Sequence, residues 1–303
     1  MTSTPLAQSY AYCRRLSRRA HSSFYASFWL LPPTKRCAMH ALYAFMRYTD
    51  DLGDSGLPVP QRRAALHRWR RLLDDALAGR FDAREPDLAA VATDALGRPL
   101  LPALADSVRR FSIPREHLHA VIDGQEMDLE AVRYETFAQL SGYCEKVASA
   151  VGLACIHVWG VRGDAALEPA RKCGIAFQLT NILRDLREDS QRGRVYLPAE
   201  DLRQCGYSAD ELARGVVNDR FRALVALEVA RAEQLYRDAA ELCPALDRDG
   251  RRIFGMMHHT YRQLLETIAG RVDELLRCRV RLSRWQKLRI AARWILFPPP
   301  NWR

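Results

Sequence analysis

The segment Gly174–Pro198, GIAFQLTNILRDLREDSQRGRVYLP, combines apolar residues with a regular row of polar ones. Four polar residues recur every three or four positions in its first half, namely Gln178, Asn181, Asp185 and Asp189. At about 100° per residue, this spacing places the four side chains within roughly 80° of one another on a helix. Apolar residues surround the start of this row, as in a buried helix, namely Ile175, Ala176, Phe177, Leu179 and Ile182. The segment therefore predicts a helix whose polar row faces the protein interior.

A second polar row lies in the earlier segment ALYAFMRYTDDLGD, residues 41–54. Its members are Tyr43, Arg47, Asp50 and Asp54. Their spacing keeps them within roughly 60° on a helix expected to continue to about Asp54. A charged row is usually the solvated face of an amphipathic helix. That explanation is disfavoured here because the pattern occurs twice among apolar neighbours, and because carboxylates four residues apart repel unless a cation lies between them.

Two carboxylate pairs facing one cavity predict a site for hard divalent cations. Oxygen-only ligands favour magnesium, with manganese as the alternative. Magnesium characteristically lies between one or two carboxylates and substrate phosphates, which makes a diphosphate the expected partner. Arg47, Arg184 and Arg194 are candidates for bidentate contacts to the same oxygens. Loss of the diphosphate would leave an allylic carbocation, and the candidate ring faces for it are Phe24, Tyr43 and Tyr143, although each alone is also compatible with core packing.

The remaining sequence predicts helices almost throughout. The expected segments, beyond one from Pro5 toward residue 20, are 61–78, 88–111, 115–129, 137–161, 166–187, 208–245 and 251–279. The period-two alternation of strands appears nowhere at length, and no glycine-rich phosphate loop of the Rossmann or P-loop type is present. With 303 residues, 48% hydrophobic content and scattered glycine and proline, the chain predicts a single all-α helical bundle.

The formal charge of +10 implies an anionic partner, which could be nucleic acid, lipid headgroups or a phosphorylated substrate. The eight cysteines show no C-x-x-C pair and no zinc spacing, and no apolar signal sequence precedes the first helix. A reducing cytoplasm is therefore the expected location. No apolar run approaches the ~20 residues that span a bilayer, so membrane contact is expected only as peripheral attachment at its inner face.

Five segments resemble the squalene and phytoene synthase family. They are HSSFYASFWLLP from His21, ALYAFMRYTDDLGD ending at Asp54, DGQEMDL from Asp123, RYETFAQLSGYCEKVASAVG from Arg133, and the segment ending at Pro198. FQLTNILRDLRED followed by RGRVYLP is the most specific of these. The resemblance implies an isoprenoid-synthase helical bundle with a central cavity. It also implies a prenyltransferase that joins two prenyl diphosphates head to head through a cyclopropylcarbinyl diphosphate.

The resemblance also implies roles for individual residues. The magnesium ligands would be Asp50, Asp54, Asp185 and Asp189. The catalytic positions would be Tyr43, Arg47, Tyr143, Gln178, Asn181 and Arg184. The substrate-binding positions would be Ser22, Phe24, Arg47, Asn181 and Arg194, with Ser22 and Phe24 in a segment that covers the cavity. One departure is Gly53, where the family usually carries a larger apolar residue, and it predicts a helix that ends early and a more mobile Asp54.

The product is open because squalene, presqualene diphosphate and phytoene synthases share both aspartate motifs. The segments DGQEMDL and RYETFAQL slightly favour condensation of two farnesyl diphosphates to presqualene diphosphate or squalene. The alternative is condensation of two geranylgeranyl diphosphates to phytoene. Use of NADPH is also open, because squalene synthases of this family bind it without a recognisable fingerprint. The oligomeric state is not indicated.

Two other classes of function make distinct predictions about the sequence. A catalytically silent relative acting as a scaffold or assembly protein should have lost acidic residues, and neither row has lost any. A nucleic-acid-binding module should show surface stripes of Lys and Arg without inward acidic pairs. The paired carboxylates argue against that module, so no nucleic-acid partner is expected.

The C-terminal segment LSRWQKLRIAARWILFPPPNWR, residues 282–303, follows a domain predicted to span 1–281. It mixes arginine and lysine with tryptophan, leucine and isoleucine. This composition fits an interfacial helix on anionic lipid. A terminal helix packed on the domain is an equal alternative.

Overall fold

The computed structural model describes residues 5–19, 25, 27–81, 98–130 and 133–296. Within these ranges no β-strand occurs, and only two isolated bridges are present, Arg133 with Val195 and Val161 with Leu246. The predicted all-α class is confirmed. The helices are α1 (Pro5–Arg19), α2 (Pro33–Gly53), α3 (Val59–Leu77), α4 (Leu101–Arg110), α5 (Arg115–Met127), α6 (Phe137–Cys144), α7 (Ala150–Trp159), α8 (Leu167–Gln191), α9 (Ala199–Gln204), α10 (Ala209–Ala213), α11 (Asp219–Ala239), α12 (Arg248–Ala269) and α13 (Arg284–Leu296).

Most predicted helices agree with these bounds to within a few residues, but two were wrong in extent. The predicted helix 208–245 is broken, because Gly215 adopts a left-handed φ of 70° and Asn218 accepts a capping hydrogen bond from the Phe221 amide at 2.9 Å. The predicted helix 251–279 ends at Ala269, where Gly270 forms the C-cap. Residues 88–97 of a third prediction lie outside the described residues.

Two large apolar clusters form the core and hold the site between them. The first surrounds α2, which packs against α1, α3, α4, α5 and α7. The second surrounds α8, which packs most extensively against α11. Phe177 of α8 contacts both clusters and stacks on Tyr261 of α12, with ring centroids 4.2 Å apart. The polar rows of α2 and α8 therefore belong to helices packed deep inside the protein.

A π-helical turn, Glu145–Ser149, joins α6 to α7 opposite α8. The backbones of the turn and α8 approach closely at Gly174, where a Cβ atom would lie 2.5 Å from the Ser149 amide nitrogen. Ser149 Oγ also donates to the Arg171 carbonyl at 2.6 Å. Single π turns within helices frequently occur at functional sites. This one begins two residues after Tyr143, a predicted site residue.

The last described helix, α13, packs on α12. Its Trp294 ring occupies the space beside Gly255, where a Cβ atom would lie 2.7 Å from the ring atom Cζ2. Arg252 of α12 donates to the Ile295 carbonyl at 2.9 Å. None of the described helices combines the length and apolar character that crossing a membrane requires.

Candidate active site

The first polar row lies at the C-terminal end of α2. Asp50 Oδ1 accepts a hydrogen bond at 2.9 Å from Gln125 Nε2 of α5. The helix ends at Gly53, one residue before the predicted end, and the Asp54 amide donates to the Asp50 carbonyl at 2.8 Å. Arg47 pairs with Asp51 at 2.6 Å and is half exposed. Of the two carboxylates in this row, Asp50 is held by a hydrogen bond and Asp54 projects from the end of the helix.

The glycine at position 53 has a structural partner. A Cβ atom at Gly53 would clash with Oε1 of Gln125 and lie 3.3 Å from its Cδ atom. The carboxamide that donates to Asp50 therefore occupies space that a larger residue at position 53 would need. This pairing explains how the chain accommodates its departure from the family pattern.

The second polar row lies along the C-terminal half of α8. Arg184 donates two hydrogen bonds to its neighbour Asp185, at 2.9 and 2.6 Å. Arg279, from the segment after α12, reaches the same carboxylate at 2.8 Å. Upstream, the amide of Asn181 lies 3.4 Å from Gln178 Oε1. The guanidinium groups of Arg184 and Arg279 are both positioned to bind a second anion beside Asp185.

The two rows converge on Asp128, the C-cap residue of α5. Its carboxylate accepts hydrogen bonds from the Tyr143 and Tyr196 hydroxyls, at 2.8 and 2.9 Å. The Arg194 guanidinium lies 3.3 Å from the Asp128 carbonyl and 3.9 Å from the Asp54 carboxylate. Because Arg194 follows α8 in sequence, its contact with Asp54 joins the end of the second motif to the first. The structure therefore brings the two predicted rows to one place.

Electrostatics also indicate a shared acidic space. Burial is the main cause that raises the pKa of Asp50 to about 7, and it acts with Asp54, Asp51 and Asp128 against the opposing effect of Arg47. Burial, together with Asp185 and Asp128, raises the pKa of Asp189 to about 6. Burial also raises the pKa of Asp128 itself. Since Asp128 acts on members of both rows, the carboxylates repel one another across a common region.

Aromatic rings line this region. Tyr143 stacks on Tyr196 with ring centroids 5.3 Å apart and lies 5.5 Å from Tyr134. Burial raises the pKa of Tyr143 well above its usual value. Tyr43, in the first row, packs edge-on against Phe28 at 6.2 Å. The predicted residues Ser22 and Phe24 lie outside the described residues.

Sequence reasoning gave no role to Asp128, Tyr196, Tyr261 or Arg279. Asp128 had a usable signal, because it stands three residues after Gln125 in DGQEMDL and thus on nearly the same helix face. Tyr196 lies in RGRVYLP, directly after the second row. Tyr261 is buried among Asn181 and Arg184, whose hydrogen bonds lower its pKa against the larger raising effect of burial. Arg279 carried no local signal, because its proximity to Asp185 is created by the fold.

The residues present fit magnesium. The carboxylates of the two rows offer oxygen ligands only. Burial and, to a smaller extent, repulsion between carboxylates raise the pKa of Asp50 and Asp189, and a divalent cation would relieve that repulsion. Within the described part of the chain, no three His, Cys, Asp or Glu side chains already form a metal cage. Magnesium needs none, because it keeps several waters and commonly binds through one or two carboxylates plus substrate phosphates.

Comparison with known proteins identifies relatives over most of the chain. Residues 17–286 match the Squalene/phytoene synthase family model. The 15-cis-phytoene synthase of Synechococcus elongatus is 34% identical over 295 residues, covering 93% of this chain and 91% of that protein. The phytoene synthase of Mycobacterium tuberculosis is 32% identical over 292 residues, covering 95% and 91%.

Solved structures agree with these sequence matches. A dehydrosqualene synthase crystallised with a ligand superposes with a TM-score of 0.84 at 28% identity, covering 96% of this chain and 98% of that one. The squalene synthase of Alicyclobacillus acidocaldarius gives a TM-score of 0.77 at 27% identity, covering 88% and 95%.

The fold and these matches define a prenyltransferase that acts on prenyl diphosphates. The chain belongs to the squalene/phytoene synthase family, and its class of reaction is the head-to-head condensation of two prenyl diphosphates.

Proposed function

We propose that the protein condenses two geranylgeranyl diphosphates to phytoene through a cyclopropylcarbinyl diphosphate, with magnesium as cofactor. Support for this chain length comes from the curated relatives, which include phytoene synthases 32–36% identical to the chain. They favour the alternative named from the sequence over the first preference, farnesyl diphosphate. The mechanism rests on one observation, the convergence of two aspartate pairs around Asp128.

Asp50 and Asp54 would hold magnesium from one side of the cavity, and Asp185 and Asp189 from the other. When bound, magnesium supplies positive charge that neutralises the diphosphate as its bond to the allylic carbon breaks. Gln125 fixes the orientation of Asp50 through its hydrogen bond. Arg184 and Arg279 fix the orientation of the Asp185 carboxylate through their contacts with it.

The remaining polar residues would bind the diphosphates and position the reacting ends. Arg194 bridges both motifs and is placed to contact diphosphate oxygens between them. Arg47 would exchange its exposed partner Asp51 for a diphosphate. Gln178 and Asn181 extend the second row toward the ring stack of Phe177 and Tyr261, which gives the isoprenoid chain an apolar surface.

The carbocation that remains after the diphosphate departs would need aromatic rings, rather than water, beside it. Tyr143 presents a buried ring within the stacked group with Tyr134 and Tyr196. An aromatic face attracts a cation within about 6 Å by ~2 kcal/mol or more when water is excluded. Tyr43 is a second candidate face at the other row.

A second candidate is condensation of two farnesyl diphosphates. It is favoured by the solved structures, which include a dehydrosqualene synthase and a squalene synthase at 27–28% identity. If the product is squalene, NADPH would be required for the reductive second half of the reaction.

Incubation of the purified protein with each diphosphate and magnesium, with and without NADPH, distinguishes these candidates. We expect mass spectrometry to detect phytoene from geranylgeranyl diphosphate without NADPH, at least ten-fold faster than any product from farnesyl diphosphate. Presqualene alcohol after dephosphorylation, or NADPH-dependent squalene, would instead establish the farnesyl branch. A protein that is folded yet condenses neither substrate would support the scaffold alternative.

A further inference from the structure

The helix α13 has two apolar faces, only one of which is covered. Ile290 and Trp294 are each 2% exposed and face the body of the protein. Four large apolar side chains of the same helix are exposed, namely Trp285 (80%), Leu288 (59%), Ile295 (49%) and Leu296 (65%). These four make up most of the large hydrophobic side chains that are exposed in the described part of the chain.

The exposed apolar residues form a stripe. At about 100° per residue, the four positions fall within an arc of roughly 100°, and Ile290 and Trp294 fall on the opposite side. Packing on the domain, one of the two alternatives for the C-terminal segment, therefore describes only one face of the helix. The inner face packs on the domain, and the outer face presents a continuous apolar strip to solvent.

Positive charge borders this strip. On the same helical projection, Arg284 lies along one edge, and Arg289 and Arg293 lie along the other. None of these three arginines forms a salt bridge with another described residue. Downstream of Glu274 the sequence contains eight Lys and Arg residues and no Asp or Glu. An apolar stripe flanked by unpaired cations complements a surface that is anionic outside and apolar beneath.

We propose that α13 docks the protein on an anionic lipid bilayer, with Trp285, Leu288, Ile295 and Leu296 entering the headgroup boundary and the flanking arginines contacting lipid phosphates. A second copy of the chain fits this face less well. An isologous dimer through the stripe would bring equivalent arginine edges together, and a 13-residue helix offers fewer residues than the ~20–30 per side of a stable interface. The proposal does not depend on the chain length of the substrate.

Vesicle co-sedimentation of the full chain tests the docking. We expect binding to phosphatidylcholine vesicles containing phosphatidylglycerol, at least ten-fold weaker binding to phosphatidylcholine alone, and weakening at high salt. The double variant Trp285→Asp/Leu288→Asp should lose at least ten-fold in binding. The matched control is Phe81→Asp, because Phe81 is 54% exposed and follows α3, and it should bind as the parent does.

A second pair of variants isolates the charge contribution. At about 1 kcal/mol per cation, Arg289→Gln/Arg293→Gln should weaken binding to anionic vesicles by roughly thirty-fold. The control Arg71→Gln/Arg214→Gln removes two exposed arginines from other helices or loops and should have little effect. Parent-like melting and turnover on detergent-solubilised substrate would show that each variant is folded.

Three results would overturn the proposal. The first is a parent protein that is folded and active but sediments with neither vesicle type. The second is binding of the α13 variants equal to that of their controls, which would place the lipid contact elsewhere. The third is a dimer in sedimentation equilibrium that Trp285→Asp/Leu288→Asp dissociates, without vesicle binding, which would make a second copy the occupant of this face.

Discussion

Asp50→Asn is expected to lower turnover about a thousand-fold while the protein melts at or slightly above the parent temperature. Asparagine keeps an oxygen that can accept from Gln125 Nε2 but loses the charge needed to hold a divalent cation against a departing diphosphate. Burial raises the pKa of Asp50 to about 7 in the folded, metal-free protein, well above its value of about 4 in an unfolded chain. The native state therefore binds the extra proton, and stability from this group declines as pH rises through that window. The side-chain amide of asparagine does not titrate, so the variant should not show this decline in stability with rising pH.

The matched control is Asp51→Asn. Asp51 is the next residue in the sequence, but its side chain is 54% exposed and pairs with Arg47 away from Asp128. We expect steady-state turnover of this variant to stay within a few-fold of the parent, and Asp185→Asn to show a loss like that of Asp50→Asn. Full activity in Asp50→Asn, or equal losses in Asp50→Asn and Asp51→Asn, would remove the proposed metal clamp. Parent activity that persists in excess chelator would contradict the magnesium requirement.

The two aspartate rows could be predicted because they depend on helical periodicity alone. Residues three and four apart share a face wherever a helix forms, and the apolar neighbours indicated which face was buried. The all-α class followed from the same periodicity. Both helix ends that were misplaced fall near glycines, Gly215 and Gly270, whose conformational effect depends on surrounding contacts that the sequence pattern does not specify.

The rest of the site depends on contacts between distant segments. Arg279 reaches Asp185 across 94 positions of sequence, and Arg194 reaches Asp128 across 66. No local pattern encodes such pairs. Arg47, expected to face a diphosphate, pairs instead with the half-exposed carboxylate of Asp51, one helical turn along α2.

Gly174→Ala is expected to destabilise the protein by about 3 kcal/mol, at the upper end of ordinary overpacking. The added Cβ atom would lie 2.5 Å from the Ser149 amide nitrogen, and two further Ser149 atoms lie close by. Backbone cannot rotate away as a side chain can, so α8 and the π turn would have to separate. That movement would also shift Tyr143 relative to Asp128. Thermal unfolding should show a melting temperature lower by roughly 5 °C, with reduced turnover in the folded fraction.

Gly142→Ala provides the comparison, because Gly142 lies within α6, three residues before the π turn, and a Cβ atom there would meet nothing within 4 Å. Alanine restricts the unfolded chain more than glycine does, so this variant should be unchanged or up to about 1 kcal/mol more stable. Stability changes of opposite sign in the two variants would locate the destabilisation at the contact between α8 and Ser149. If Gly174→Ala instead melted at the same temperature as Gly142→Ala, the close approach of α8 to Ser149 would not hold the π turn in place. Another contact would then have to orient Tyr143.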